Sequence, residues 1–243
     1  MQRNLLKMLD KLIILWYDYV MEGSDALEKN IYSLVLSDSV VEAVDALARA
    51  SGLSRSAMIN QILAERVAYT TPEMRMREIL AAMQKSMNDG FYYLEQPSAG
   101  TLSCRTALKY RYKPTVRYSV EIFSRGGKKA GELKVSFRTQ NVQLIDDLTG
   151  FFRVWATLEQ RYIASELTQD ILYTIDSGKF TRTLNMPEKN ISDEALGAAV
   201  ADYMAMFDAA MKQYFAYLPD TDTAARAAEQ SYNINITRQK VII

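Results

Sequence analysis

The 243-residue chain contains no histidine and a single cysteine, Cys104. Those two facts close most routes to catalysis. Without histidine there is no His-dependent triad, no imidazole proton shuttle and no His-liganded metal. One thiol builds neither an internal disulfide nor a Cys-rich zinc site, which fits a reducing, cytoplasmic compartment. Cys104 stands beside Arg105 with no base to activate it, so it reads as an inert thiol. Paired carboxylates occur at Asp146–Asp147 and Asp193–Glu194, but both pairs sit at helix starts, where negative charge favours the dipole. The run SRGGKKAG, residues 124–131, lacks the spacing of a phosphate-binding loop and reads as a hairpin turn. No catalytic residues, no metal site and no cofactor are expected. An enzyme housed in the C-terminal half would need convergent polar groups that the sequence does not offer.

What remains is binding chemistry carried by charge. The 29 Lys and Arg balance 29 Asp and Glu, but unevenly along the chain. Residues 1–104 carry 10 basic and 13 acidic side chains, residues 105–138 carry 10 and 2, and residues 139–243 carry 9 and 14. So basic a middle segment can meet an anionic partner or pair with the acidic ends of its own fold.

These side chains need elements to position them. Apolar residues make up 49% of the chain, enough to bury a core, and the length suits two modest domains. No stretch reaches about 18 uninterrupted apolar residues, so no membrane-spanning helix is expected. Residues 1–26 form an N-terminal extension. Its apolar run is interrupted by Lys7, Asp10, Lys11 and Asp18, which argues for an amphipathic docking helix over a signal peptide. Alternatively, translation starts at Met21 and the first 20 residues are an artefact of the start site.

Residues 30–36, NIYSLVL, alternate like a strand, and Ser37, Asp38 and Ser39 are helix-starting types. Val40, Val44, Leu47 and Ala48 recur as one helical stripe, closed by Gly52. Ser54 caps a second helix with Ile59, Ile62, Leu63 and Val67 on one side. A third helix starts at Thr71–Pro72–Glu73 and carries Met76, Ile79, Leu80, Met83 and Met87, methionines that read as core packing.

The register of LSDSVVEAVDALARASGLSRSAMI, residues 36–59, resembles a ribbon-helix-helix protein of the CopG kind, over residues 27–70. The resemblance implies a homodimer built through residues 30–67. One strand and two helices are too small to hold a core alone, so two chains pair their strands into a ribbon closed by four helices. Tyr32, Leu34 and Leu36 then point inward, while Ile31, Ser33 and Val35 point outward toward base edges in the major groove. Lys29 adds a phosphate contact, and Ser54, Arg55 and Ser56 bind phosphate at the start of the second helix. The bland alternative for Arg55 is a solvated cation beside an ordinary cap. One departure matters: Ile31, Ser33 and Val35 make no bidentate base contact, so discrimination is modest, and this face of the ribbon can equally be covered. The implied partner is double-stranded DNA and the implied role is bacterial transcription regulation. A plasmid or mobile-element copy-control, partition or relaxosome protein is a close variant, and a dimeric scaffold that does not bind DNA is the rival. Nickel sensing is set aside because it needs histidine.

The expected fold class is α+β, mostly α. Residues 71–98 are a connecting helix and linker, residues 99–218 a β-hairpin-plus-helices domain, and residues 219–243 a tail that can add a final strand. Residues 108–123 keep strand parity, with Lys109, Arg111, Lys113 and Arg117 on the polar face and Lys134 and Arg138 on that of the return strand. Pro114 places this strand at an edge or a bulge. Those cations either protect a sheet edge or form a second anion-binding surface. Tyr110, Tyr112 and Tyr118 share the apolar side and are expected to pack rather than stack on bases.

Overall fold

The computed structural model describes residues 31–87, 90–94, 100–110, 113–123 and 127–243. The expectations for residues 1–30, Arg111 and Tyr112 lie outside the described residues. The chain divides into two compact units, one ending at Met74 and the other spanning Arg75–Ile243.

In the first unit, residues 31–37 carry no sheet pairing and lead into α1 (Asp38–Ala50) and α2 (Arg55–Arg66). Gly52 closes α1 at φ +65°, donating to the Arg49 carbonyl while the Leu53 N–H reaches Ala48. That pair of hydrogen bonds satisfies two carbonyls left open at the helix end and turns the chain back on itself. Ala68 ends α2 in the same way, at φ +53°, an unusual conformation for a residue with a Cβ. Ser54 caps α2 as expected, accepting from the Ala57 N–H at 3.2 Å. Ser37 does not cap α1; its hydroxyl meets that of Ser39.

The in-chain core of this unit is small: Val44, Ala48 and Met58, with Leu53 and Ile59 against them. The expected stripe on α2 is not what the single chain buries. Met58 and Ala64 are buried, whereas Ile62, Leu63 and Val67 are exposed.

Most of α3 (Pro72–Ser86) belongs to the second unit, whose core its Ile79, Leu80 and Met83 join. The helix expected to connect the domains is thus part of the second unit's fold. It packs on α5 (Asp193–Ala216) so closely that a Cβ at Gly197 would collide with the Ile79 carbonyl oxygen. Buried Arg75 pairs with Asp193 at 2.8 Å.

Six antiparallel strands follow in the spatial order β1-β2-β3-β4-β6-β5: β1 (Tyr92–Tyr93), β2 (Thr101–Ala107), β3 (Thr115–Ile122), β4 (Lys129–Phe137), β5 (Tyr173–Asp176) and β6 (Lys179–Asn185). The expected hairpin is the centre of a larger sheet. The long strand expected over residues 108–123 is two pieces: Leu108 is buried outside β2, and Lys113 turns at φ +44° before Pro114. Pro114 precedes β3, so its missing N–H costs no ladder bond and β3 can be an interior strand. Of the two expected placements, edge or bulge, this removes the edge.

One face of the sheet carries Leu102, Cys104, Val116, Tyr118, Val120, Leu133, Val135, Phe180 and Leu184 into the core. α4 (Val142–Tyr162), α5 and α6 (Thr221–Ile236) complete that core. α5 is buried around most of its circumference, as its run of apolar residues demands. Phe207 sits at the centre, with ring centroids 4.8 Å from Trp155 and 5.3 Å from both Phe151 and Phe180. Residues 219–243 form no final strand. Asp220 caps α6, and Ala224, Ala228 and Tyr232 recur at helical spacing and bury against the core.

Candidate nucleic-acid interface

In the first unit, Ile31 and Val35 stand fully open at 98% and 102% exposure, while Leu34 and Leu36 are at 58% and 41%. Tyr32 is 80% exposed, so in the single chain only the two leucines fall well below Ile31 and Val35. Ser33 is also exposed. Lys29 lies outside the described residues. No hydrogen bond joins residues 31–35 to residues 54–56 among the described residues.

At the start of α2, Ser54 uses its hydroxyl on the Ala57 N–H and its carbonyl on the Met58 N–H. The N–H groups of Arg55 and Ser56 have no partner among the described residues and remain open to an anion. The Arg55 guanidinium is not free: it grips both oxygens of Asp45 on α1, each at 2.6 Å. That hydrogen bond holds the Asp45 carboxyl below its ordinary range and pushes the Arg55 guanidinium up. Both side chains are at the surface. Sequence reasoning missed Asp45. The available signal was its place on the polar side of α1, one helical hairpin away from Arg55.

The second unit carries the other cations. Paired residues of neighbouring strands share a face of the sheet. Register therefore aligns Tyr92, Arg105, Arg117, Ser136, Lys179 and Asp176 in one row across the face away from the core. The next row holds Ser103, Ser119, Lys134, Thr181 and Thr174. Lys134 meets Glu132 at 2.8 Å and Glu121 at 3.9 Å, and Glu132 raises its pKa. Arg105, Arg117 and Lys179 are exposed and have no ion-pair partner among the described residues. Exposed Lys109 and Lys113 lie in the β2–β3 turn and exposed Arg138 just follows β4. Arg105 and Lys179 were missed because β2 and β6 were not recognised as strands. The alternation of Leu102, Cys104 and Thr106 with Ser103, Arg105 and Ala107 was the signal for the first.

Tyr118 points into the core, donating to Asp208 at 2.9 Å, and Tyr110 packs on Phe215 while its hydroxyl meets Asp147. Both pack rather than present a ring to a base, as expected. Cys104 is buried, and burial together with the Asp208 charge pushes its thiol up to about 12. Among the described residues no helix is long and apolar enough to cross a membrane.

No curated protein and no solved structure matches the chain. Residues 33–70, which hold α1, the glycine turn and α2, match the family model described as ribbon-helix-helix protein, CopG family. The chain thus carries a ribbon-helix-helix segment of the CopG family, followed by a separate α/β unit.

Proposed function

We propose that the chain is a homodimeric, sequence-specific DNA-binding transcription regulator. Two copies pair residues 31–36 into an antiparallel ribbon that enters the major groove, which admits a two-stranded ribbon. One observation carries this reading: a single copy leaves Tyr32, Leu34, Leu36, Val40, Leu47, Leu63 and Val67 exposed around a core of three buried residues. That is a large number of bare apolar side chains for so small a core. A second copy covers them and pairs the backbone of residues 31–36, which joins no sheet among the described residues.

In that dimer Ile31, Ser33 and Val35 face base edges. The apolar pair packs on thymine methyl groups, and the serine bonds to more than one base. Ser54, Arg55 and Ser56 contact phosphate, together with Lys29. The direct test is a gel-shift titration with genomic fragments at several salt concentrations, repeated with Arg55→Ala and Ser33→Arg. The expected result is salt-sensitive retardation, weakened by the first variant and altered in sequence preference by the second. No retardation at any salt concentration would remove the reading. It would instead favour a dimeric scaffold, for which the apolar side chains Ile31 and Val35 also speak.

A further inference from the structure

We infer that the basic row on the face of the six-stranded sheet away from the core is a second DNA-contacting surface. In it Arg105, Arg117 and Lys179, flanked by Lys109, Lys113 and Arg138, contact the phosphate backbone of a duplex. The inference rests on the reading that this chain binds DNA, and deepens it.

Arg105 and Arg117 are direct partners on neighbouring strands, and like charges placed opposite each other destabilise a sheet. Among the described residues no carboxylate pairs with either of them. The face's carboxylates Glu121 and Glu132 lie two rows away and meet Lys134. Asp176, opposite Lys179 on the edge strand, is the one acid in the row. Protection of a sheet edge does not explain the pair, because β2 and β3 are interior strands. Register also brings the turn carrying Lys109 and Lys113 to the same end of the sheet as Arg138 and Lys179. A like-charge pair on a rigid sheet is stabilised when phosphates supply counter-charge.

The occupant is a duplex backbone rather than a single strand. Single-strand platforms stack successive bases on several aromatic rings. In the described rows this face offers one ring, Tyr92, between serine, threonine and basic side chains. Ser103 is buried and its hydroxyl meets that of Ser119, so the contacts fall to the exposed guanidinium and ammonium groups, which hold phosphate oxygens and carry no sequence information.

The test uses the full chain and a labelled duplex of about 30 base pairs, three turns of roughly 10.5 each. Anisotropy titrations between about 50 and 200 mM salt compare wild type with Arg105→Gln/Arg117→Gln/Lys179→Gln. Each lost phosphate contact lowers the salt slope by about 0.9, so the triple variant should lose about 3 and bind more than tenfold weaker at low salt. Lys85→Gln, an exposed cation on α3, should change neither. If the triple variant unfolds, Arg117→Gln alone should lower the slope by about one.

Wild-type affinity and slope in a folded triple or single variant would overturn the inference. So would an acidic peptide that binds wild type and not the variant while duplex binding is unchanged. Arg55→Ala in parallel separates the two surfaces. Loss in the triple variant alone leaves this surface standing and removes the ribbon contact; loss in Arg55→Ala alone does the reverse.

Discussion

The Arg55 guanidinium lies across the Asp45 carboxylate, with Nε and a terminal nitrogen each 2.6 Å from a different oxygen. This fork joins α1 to α2 at the point where two N–H groups of α2 remain open. Asp45 fixes the direction of the guanidinium and also competes for it. A phosphate arriving at the start of α2 meets a cation that already has a carboxylate, and the two anions repel.

Replacing Asp45 with Asn should therefore tighten duplex binding at low salt, while Arg55→Ala should weaken it and lower the salt slope by about one. Anisotropy against one labelled duplex checks both. Asp45 titrates below its ordinary value of 3.8 in the folded chain. The pair's contribution is present above that value and is lost as pH falls through the lowered pKa. Between pH 5 and 8 the fork should not change, so any pH dependence of binding there would point to another group.

The Cys104 thiol should be silent in the native protein. It is buried on β2, with its pKa pushed up to about 12. A thiol reagent at pH 8 should label it only after denaturation, since the thiolate is the reactive form. The sign of the linkage follows. The protonated thiol favours the fold, so stability should fall as pH rises from the ordinary value of 9.0 towards about 12. Rapid native labelling at pH 8 would show that β2 is not where the core places it.

Gly197→Ala should destabilise the second unit by about 1–3 kcal/mol, the usual cost of forcing a methyl into a packed contact. The added Cβ would strike the Ile79 carbonyl, and the Met83 N–H and Ala82 leave no other room. Thermal unfolding followed through the buried Trp155 checks this.

Arg182 and Glu159 form a fully buried ion pair at 2.9 Å, with the guanidinium 4.6 Å over the Tyr203 ring. Tyr203 donates to Glu159 and accepts from the Trp155 indole N–H. Desolvation raises the Glu159 pKa against the pull of Arg182. Arg182→Ala should cost about 3–5 kcal/mol, because it strands a buried carboxylate. The double variant Arg182→Met/Glu159→Leu should recover much of that loss. Denaturant melts of both variants measure it; equal losses in the two would assign the cost to packing alone.

Local signals that one chain satisfies by itself were legible in the sequence. Gly52 and Ser54 set the α1–α2 turn, and Pro72 opened α3. The start of the anion site was legible too, since a cap exposes its free N–H groups wherever it falls. Non-local pairing was not legible. Arg105, Arg117 and Lys179 come into one row only through the register of four strands, and Asp45 reaches Arg55 only across a hairpin. The final helix was hidden because Asn233, Ile234, Asn235 and Ile236 alternate like a strand, while the residues that decide the outcome, Ala224, Ala228 and Tyr232, lie at helical spacing before them. Ile62 and Leu63 read as core and are exposed in the single chain, the disagreement from which the dimer is argued.

Sedimentation equilibrium of the full chain at micromolar concentration tests the pairing of two copies most directly. The expected result is a stable dimer that Leu34→Asp converts to a monomer lacking salt-sensitive DNA retardation. A wild-type protein that sediments as a single copy throughout that range, yet still retards DNA, would contradict it.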